Sequence, residues 1–431
     1  MARKMKDSGI EWIGEIPEGW EIRKIKNNFM IYAGATPKSE KAEYWDGGIP
    51  WITPADFKTT DKYVSYGRKS LTALGYDSCG TTLVPAGSII FSKRAPVGSV
   101  VIAKNTLCTN QGCLACIPND AVNSTYFYYC MSIFTEQFEL VSAGTTFKEI
   151  SASTFASFLL PCPPLSQQNE IVNFLDKESS RIDSMLSKTH SSIEEYKKLK
   201  QAVITQAVTK GVRGEREMKD SGVEWIGEIP KEWGRTKIKM IASFFNGDRT
   251  SRYPQPSDFV DAGVAFLTSR NIDSDEVDLS ETKYITDDKY KSLSGAKIQI
   301  DDIIFCLRGS VGKCAINRTL SCGTVASSLA TIRPKDIYPK YLLYFLLSNI
   351  ASTQTTIFMN GTCAANLSAE NVGNYYITLP NSAEQKEIAD HLDAKCAEID
   401  KLIAKKEQLV KELESYKKSL IYEVVTGKRE V

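Results

Sequence analysis

Residues 167–208 contain neither Gly nor Pro and repeat their apolar side chains at a seven-residue step. One row is Leu175, Ile182, Tyr196 and Val203, and the next is Leu186, Ile193 and Ala207. The same two rows return near the end of the chain as Leu392, Ile399, Leu413 and Leu420, then Ile403, Val410 and Val424. Thr189 and Lys406, and Lys200 and Lys417, are the polar exceptions at matched places. A heptad sustained over ~40 residues predicts two coiled-coil helices of about 60 Å at ~1.5 Å per residue. Elsewhere the pattern shortens. Runs such as Gly87 to Val101 and Ala296 to Leu307, punctuated by Gly, Pro and Asn, predict strands of compact α+β units, and Tyr126 to Met131 and Tyr341 to Leu346 predict short helices.

The paired helices belong to a larger repeat. MKDSGIEWIGEIP at 5–17 returns as MKDSGVEWIGEIP at 218–230, twelve of thirteen positions agreeing, with Trp20 and Trp233 following in step. Gln168, Glu170, Ile171, Leu175, Asp176, Ile182 and Asp183 return at an offset of 217 as Gln385, Glu387, Ile388, Leu392, Asp393, Ile399 and Asp400. Between these anchors the copies diverge over a common skeleton. Gly48 to Thr53 parallels Gly263 to Thr268; Ile89-Ile90-Phe91 with Arg94 and Gly98 parallels Ile303-Ile304-Phe305 with Arg308 and Gly312; Gly144-Thr145 parallels Gly361-Thr362. The order is also circular, because Thr426 to Val431 followed by Met1 onward repeats the internal segment from Thr209, with nine instead of eight residues between Thr and Met. The two ends of the chain are therefore expected to lie together.

The fold class expected is α+β: two domains of mixed α/β structure in a pseudo-twofold tandem repeat, separated by two long antiparallel coiled-coil helices. The boundaries are 1–160 for the first variable domain, 161–217 for a central helical connector, 218–378 for the second variable domain and 379–431 for a distal connector. On their own, Asp176, Asp183, Asp393 and Asp400 read as solvated helix positions rather than paired catalytic acids.

Composition narrows the chemistry. With 42% apolar and 24% charged residues the chain is an ordinary globular protein. No window reaches the ~18 consecutive apolar residues of a membrane span, and Met1-Ala2-Arg3-Lys4-Met5-Lys6 leads into no apolar signal region, so a cytoplasmic protein without membrane contact is expected. Two His leave little for His-centred catalysis, and eleven scattered Cys point to reduced thiols. Cys108, Cys113 and Cys116 lack the second close pair that zinc usually needs, so burial explains them better. A net charge of +1 offers no global attraction for a polyanion.

The MKDSG-EWIGEIP segments with their tryptophans, Pro161 to Leu165 and Leu379-Pro380 ahead of Gln168-x-Glu170-Ile171 and Gln385-x-Glu387-Ile388, and the helix ends Ala207-Val208-Thr209 and Val424 to Gly427 together resemble type I restriction–modification specificity subunits. The resemblance spans essentially the whole chain. It implies two target-recognition domains that each read half of an asymmetric, split DNA sequence, with helical connectors that hold them apart and bind two methyltransferase subunits. Restriction subunits with translocase activity would join that core. The chain would be non-catalytic and bind no cofactor itself, while its partners use S-adenosylmethionine, ATP and Mg. The competing reading is a coiled-coil protein-interaction scaffold without sequence-specific DNA binding.

Enzyme signatures fail on context. Pro161-Cys162 and Glu370-Asn371-Val372 echo cytosine methyltransferase motifs, but they lie in different copies, and neither a cofactor loop nor an adenine-methylation tetrad accompanies them. Arg308 to Lys313 imitates a phosphate loop, yet Leu307 stands where the first Gly belongs and Cys314 where the hydroxyl belongs, so a tight turn after a strand is expected.

Phosphate contacts call for Lys and Arg, and base edges for Arg, Asn, Gln, Ser or Thr on loops. The candidate DNA contacts are Thr53, Lys58, Lys93, Arg94, Asn110, Gln111, Thr145, Thr146 and Lys148 in the first copy. In the second they are Ser269, Arg270, Asn271, Arg308, Lys313, Ser327, Thr362 and Asn366. Trp12, Trp20, Trp225 and Trp233 invite base stacking, but they lie in near-identical segments where a sequence reader should vary, so packing is their expected role.

Overall fold

The computed structural model describes residues 3–58, 61–94, 96–143, 148–272, 275–359 and 366–431. The chain divides into two compact units, Met1–Thr189 with Gln408–Val431, and His190–Glu407. The units are not simply the first and second copies. Two helices, Leu165–Lys210 and Ser382–Val425, are as long as the heptads predict, and each contributes residues to both units. All twelve predicted seam residues, Leu175, Ile182, Leu186, Ile193, Tyr196, Val203, Leu392, Ile399, Ile403, Val410, Leu413 and Leu420, are buried or half-buried.

In the first unit a five-stranded sheet runs in the order Phe29–Ala33, Cys113–Pro118, Ile89–Ser92, Val100–Ala103 and Tyr63–Val64. A three-stranded sheet places Trp45–Ile52 between Cys108–Thr109 and Lys69–Leu71. The predicted helix is Ser124–Ile133, started by Asn123, whose side chain accepts from the amides of Thr125 and Tyr126. The second unit repeats this plan. One four-stranded sheet has the order Ala242–Asn246, Leu329–Pro334, Ile303–Cys306 and Cys314–Ile316; the other has Phe259–Val260, Lys283–Ile285, Val264–Leu267 and Gly323–Val325.

Each unit closes its main core with the end of the helix that belongs to the other copy. Leu420, Ile421, Val424 and Val425 pack with Ile16, Trp20, Tyr126 and Leu175 in the first unit. Ile204, Ala207 and Val208 pack with Trp233, Tyr341, Ile388 and Leu392 in the second. Buried hydroxyls lock the register, for Tyr126 Oη donates to the Val425 carbonyl at 2.9 Å and Thr378 Oγ1 to the Val208 carbonyl at 2.6 Å. In the second unit Lys200 pairs with Asp400, and Arg213, just past the end of the central helix, pairs with Glu387, so residue numbers rise along the central segment as they fall along the distal helix. That is antiparallel packing.

The near-constant anchors are structural. Trp20 Nε1 donates to Gln167 at 2.7 Å and Trp233 Nε1 to Glu384 at 3.0 Å, both indoles being buried. Gln168 donates to the Pro163 carbonyl at 2.8 Å and accepts from the Asn123 amide at 2.8 Å, while Gln385 makes the same two bonds with Pro380 and Tyr338. The segments near the two ends of the chain also meet: Tyr422 Oη donates to the Trp12 carbonyl at 3.0 Å.

The helix aspartates are not merely solvated. Asp183 pairs with Lys417 at 2.7 Å and Asp400 with Lys200 at 2.8 Å, which also explains the matched lysines that interrupt the apolar rows. Asp176 accepts from Tyr129 at 2.6 Å and Lys62 at 2.6 Å, and Asp393 from Tyr344 at 2.8 Å and from Lys340. Burial, and then the carboxylate hydrogen bond, push both tyrosine hydroxyls well above their ordinary range, so each remains a donor.

Thermal or denaturant unfolding should separate the apolar seam from its charged edge. Leu175→Ala and Leu392→Ala, both at fully buried sites, are each expected to cost about 2–5 kcal/mol. Asp183→Asn, at a half-exposed ion pair, is expected to cost less than about 1 kcal/mol.

Candidate nucleic-acid interface

Antiparallel register sets where the loops emerge. Leu114 lies opposite Ala33 and Cys113 opposite Ser92, so the loop after Phe29–Ala33, the turn after Ile89–Ser92 and the loop before Cys113–Pro118 share one end of the sheet. Backbone bonds knit them: Gly34 N to Cys113 O at 3.3 Å, Lys93 N to Gly112 O at 3.0 Å, and Asn110 N to Ile52 O at 2.9 Å. The second unit repeats the lattice with Gly247 N to Leu329 O at 3.2 Å, Leu307 N to Ser328 O at 2.9 Å and Ala326 N to Leu267 O at 2.8 Å. Neither loop tolerates a side chain at its first residue. A Cβ on Gly34 would stand 2.2 Å from the Asn110 carbonyl oxygen, and one on Gly247 2.2 Å from that of Ala326.

Beside these loops each unit carries a capping box. Thr53 N and Oγ1 donate to Asp56 at 2.8 and 2.7 Å, and Thr268 N donates to Asn271 at 2.8 Å. Burial raises the Asp56 carboxyl, but hydrogen bonds from Thr53 and Arg68 outweigh it and hold the group below its ordinary value. Asn271 does not stand free on a polar loop as expected. It is buried, and its amide donates to the Asp278 carbonyl at 2.9 Å and to Thr282 at 3.1 Å, so it braces the loop from inside.

The other candidates separate by partner. Lys93 and Arg94 both face Glu149, at 2.9 and 3.8 Å, and Lys148 faces Glu139 at 3.8 Å. Lys58 is exposed, 3.9 Å from Asp61. Asn110 accepts from the Gly112 amide at 2.9 Å and so shapes its own turn. Gln111 is exposed and accepts from the Thr36 hydroxyl. In the second unit Arg270 is exposed and Ser269 half-buried. Arg308 Nε donates to Asn366 at 3.1 Å, and Ser327 offers its carbonyl to Arg249 Nε at 3.3 Å. Exposed Lys313 ends the Arg308 turn, which runs into the strand Cys314–Ile316 rather than a helix, so the phosphate-loop likeness reduces to a hairpin turn. Thr145, Thr146 and Thr362 lie outside the described residues.

Sequence reasoning missed Thr36 and Arg249, which the matched glycines carry into these clusters. The legible trace was a Gly just past the first sheet strand of each copy, at an offset of 213. It also missed Asp248, a buried carboxylate that accepts from Thr250 N at 2.7 Å and Oγ1 at 2.6 Å, and from Ser294 N at 2.8 Å and Oγ at 3.1 Å. Burial raises the Asp248 carboxyl, but these bonds win and hold it well below the usual carboxylate range. Cys108, Cys113, Cys116 and Cys162 are buried, and burial pushes every one of these thiols up, Cys108 to about 12.

Two stretches, residues 17–195 and 230–412, match the type I restriction modification DNA specificity domain. The chain is 28% identical over 373 residues to the MjaIX specificity subunit of Methanocaldococcus jannaschii, covering 85% of this chain and 84% of the relative. It is 23% identical over 426 residues to the MjaVIII specificity subunit of the same organism, covering 96% and 93%. Its fold matches a solved chain from work on complex assembly and conformational transition of the type I R-M system. The TM-score is 0.74 at 13% identity, covering 96% of this chain and 99% of that one.

Asp248→Asn should lower stability at neutral pH by about 1–3 kcal/mol, because four donors lose a charged acceptor. The folded carboxyl titrates below the unfolded value of about 3.9, so its contribution is present above that pH and disappears as pH falls toward the folded value. Melting curves should therefore show a constant gap between variant and wild type from pH 7 to about 4, narrowing only in stronger acid.

Proposed function

Since the chain belongs to the type I restriction modification DNA specificity family, we propose that it is the DNA-reading subunit of a type I restriction–modification complex. Each unit reads one half of a split, asymmetric target in double-stranded DNA. The observation that carries this reading is the pair of loop clusters built on one backbone lattice but furnished with different side chains: Thr36 and Gln111 in one unit, Arg249 and Ser327 in the other. Unlike readers in equivalent frames imply unlike half-sites.

The near-identical segments suit partners that are the same at both positions. Two methyltransferase subunits would dock there, and restriction or translocase subunits would join them. The chain itself is non-catalytic; S-adenosylmethionine, ATP and Mg belong to those partners, which work on DNA in the cytoplasm. The buried thiol of Cys162, which burial pushes up, supports this division, since a nucleophilic Cys needs its thiolate. Local rather than net charge supplies phosphate affinity, for Arg252 and Arg270 stand exposed in the second unit.

Co-expression with the methyltransferase subunit, followed by mapping of modified adenines in host DNA, should return one motif with two unlike halves and a constant gap. Binding of the purified complex to that motif should weaken steeply with salt, by about tenfold or more between 50 and 200 mM. A stable complex with an active methyltransferase but no motif would favour the protein-interaction scaffold.

A further inference from the structure

Three backbone bonds in each unit place the variable positions of the two copies in register. Cys113, Gly112 and Asn110 take the bonds that Leu329, Ser328 and Ala326 take, so Gln111 corresponds to Ser327; Gly34 corresponds to Gly247, and therefore Thr36 to Arg249. In both units the second residue after the glycine reaches across to the matched opposing residue. Thr36 donates to the Gln111 carboxamide oxygen, and Arg249 Nε donates to the Ser327 carbonyl at 3.3 Å.

This is the pair of positions at which the frame stays constant, a side chain donates across to the opposing residue in both units, and the chemistry changes. The neighbouring candidates do not meet all three conditions. Thr53 and Thr268 turn inward to their capping partners, and Lys93, Arg94 and Lys148 face carboxylates. Gln111 and Arg249 are both exposed, and Arg249 forms no ion pair among the described residues.

Resting on the DNA-reading assignment above, we propose that positions 36/111 and 249/327 are the copy-matched base-edge readers, Gln111 recognising an adenine in one half-site and Arg249 a guanine in the other. With its oxygen steadied by Thr36, the Gln111 amide keeps an acceptor lone pair and an NH2 donor side by side, which matches adenine N6 and N7. With Nε held by Ser327, the Arg249 guanidinium turns its remaining donors outward toward two acceptors, which matches guanine O6 and N7.

The test is to map modified adenines for the full chain co-expressed with its methyltransferase, as wild type, Arg249→Lys and Gln111→Ala. Arg249→Lys keeps the charge and the exposed site but loses the fork, so preference for guanine at one position of one half-site should fall about tenfold or more, the other half staying strict. Gln111→Ala should relax one adenine in the opposite half only. Competition binding of the purified complexes with duplexes substituted at those two positions gives the same comparison independently of methylation. A wild-type motif that both variants leave unchanged, or variants that weaken all sequences uniformly as phosphate contacts would, overturns the proposal while leaving the DNA-reading assignment intact. The absence of any wild-type motif overturns both.

Discussion

Each unit depends on an apolar surface that its own copy of the repeat cannot complete. Tyr126 and Leu175 are fully buried only because Leu420 to Val425 arrive from the distal helix, and Tyr341 and Leu392 only because Ile204 to Val208 arrive from the central one. Burying side chains of this size contributes roughly 1.5–3 kcal/mol each, far more than any exposed ion pair along the same helices. The helices are polar outside a narrow stripe, so they would be marginal alone; packing makes them stable. This exchange is why the segments at both ends of each helix remain alike while the domains between them drift. A change in one copy is met by a surface of the other.

The contacts that seat each domain on its helix show which part of the arrangement is under constraint. Asp176 and Asp393 occupy matched sites, and Tyr129 and Tyr344 donate to them from matched helices. The lysines that complete the pairs do not match, for Lys62 comes from beside a sheet strand and Lys340 from the first turn of a helix. A cation beside each carboxylate adds a modest attraction, and elementary electrostatics does not dictate which element supplies it. The loop ends obey the same logic. Their lattice uses backbone groups, so it survives replacement of almost every side chain, while Gly34 and Gly247 are held by the closeness of a carbonyl oxygen.

The heptad rows, the twofold repeat and the junction of the chain ends were legible because each depends on spacing along the chain, and spacing is what a sequence displays. The helix over 167–208, which the structure extends to Leu165–Lys210, the packing role of Trp20 and Trp233 and the tight turn after a strand at Arg308 followed from the same kind of evidence. What a sequence conceals is the partner of a polar side chain. Asn271 looked like an open reader and is an internal brace, Asp183 and Asp400 stand exposed as expected but each also holds a lysine, and Thr36 and Arg249 drew no notice although they reach the matched loops. Polar side chains of the same type either face solvent or satisfy a buried neighbour according to contacts from residues tens to hundreds of positions away. Periodicity therefore determined the architecture, and only tertiary packing decided which polar groups remained free to read.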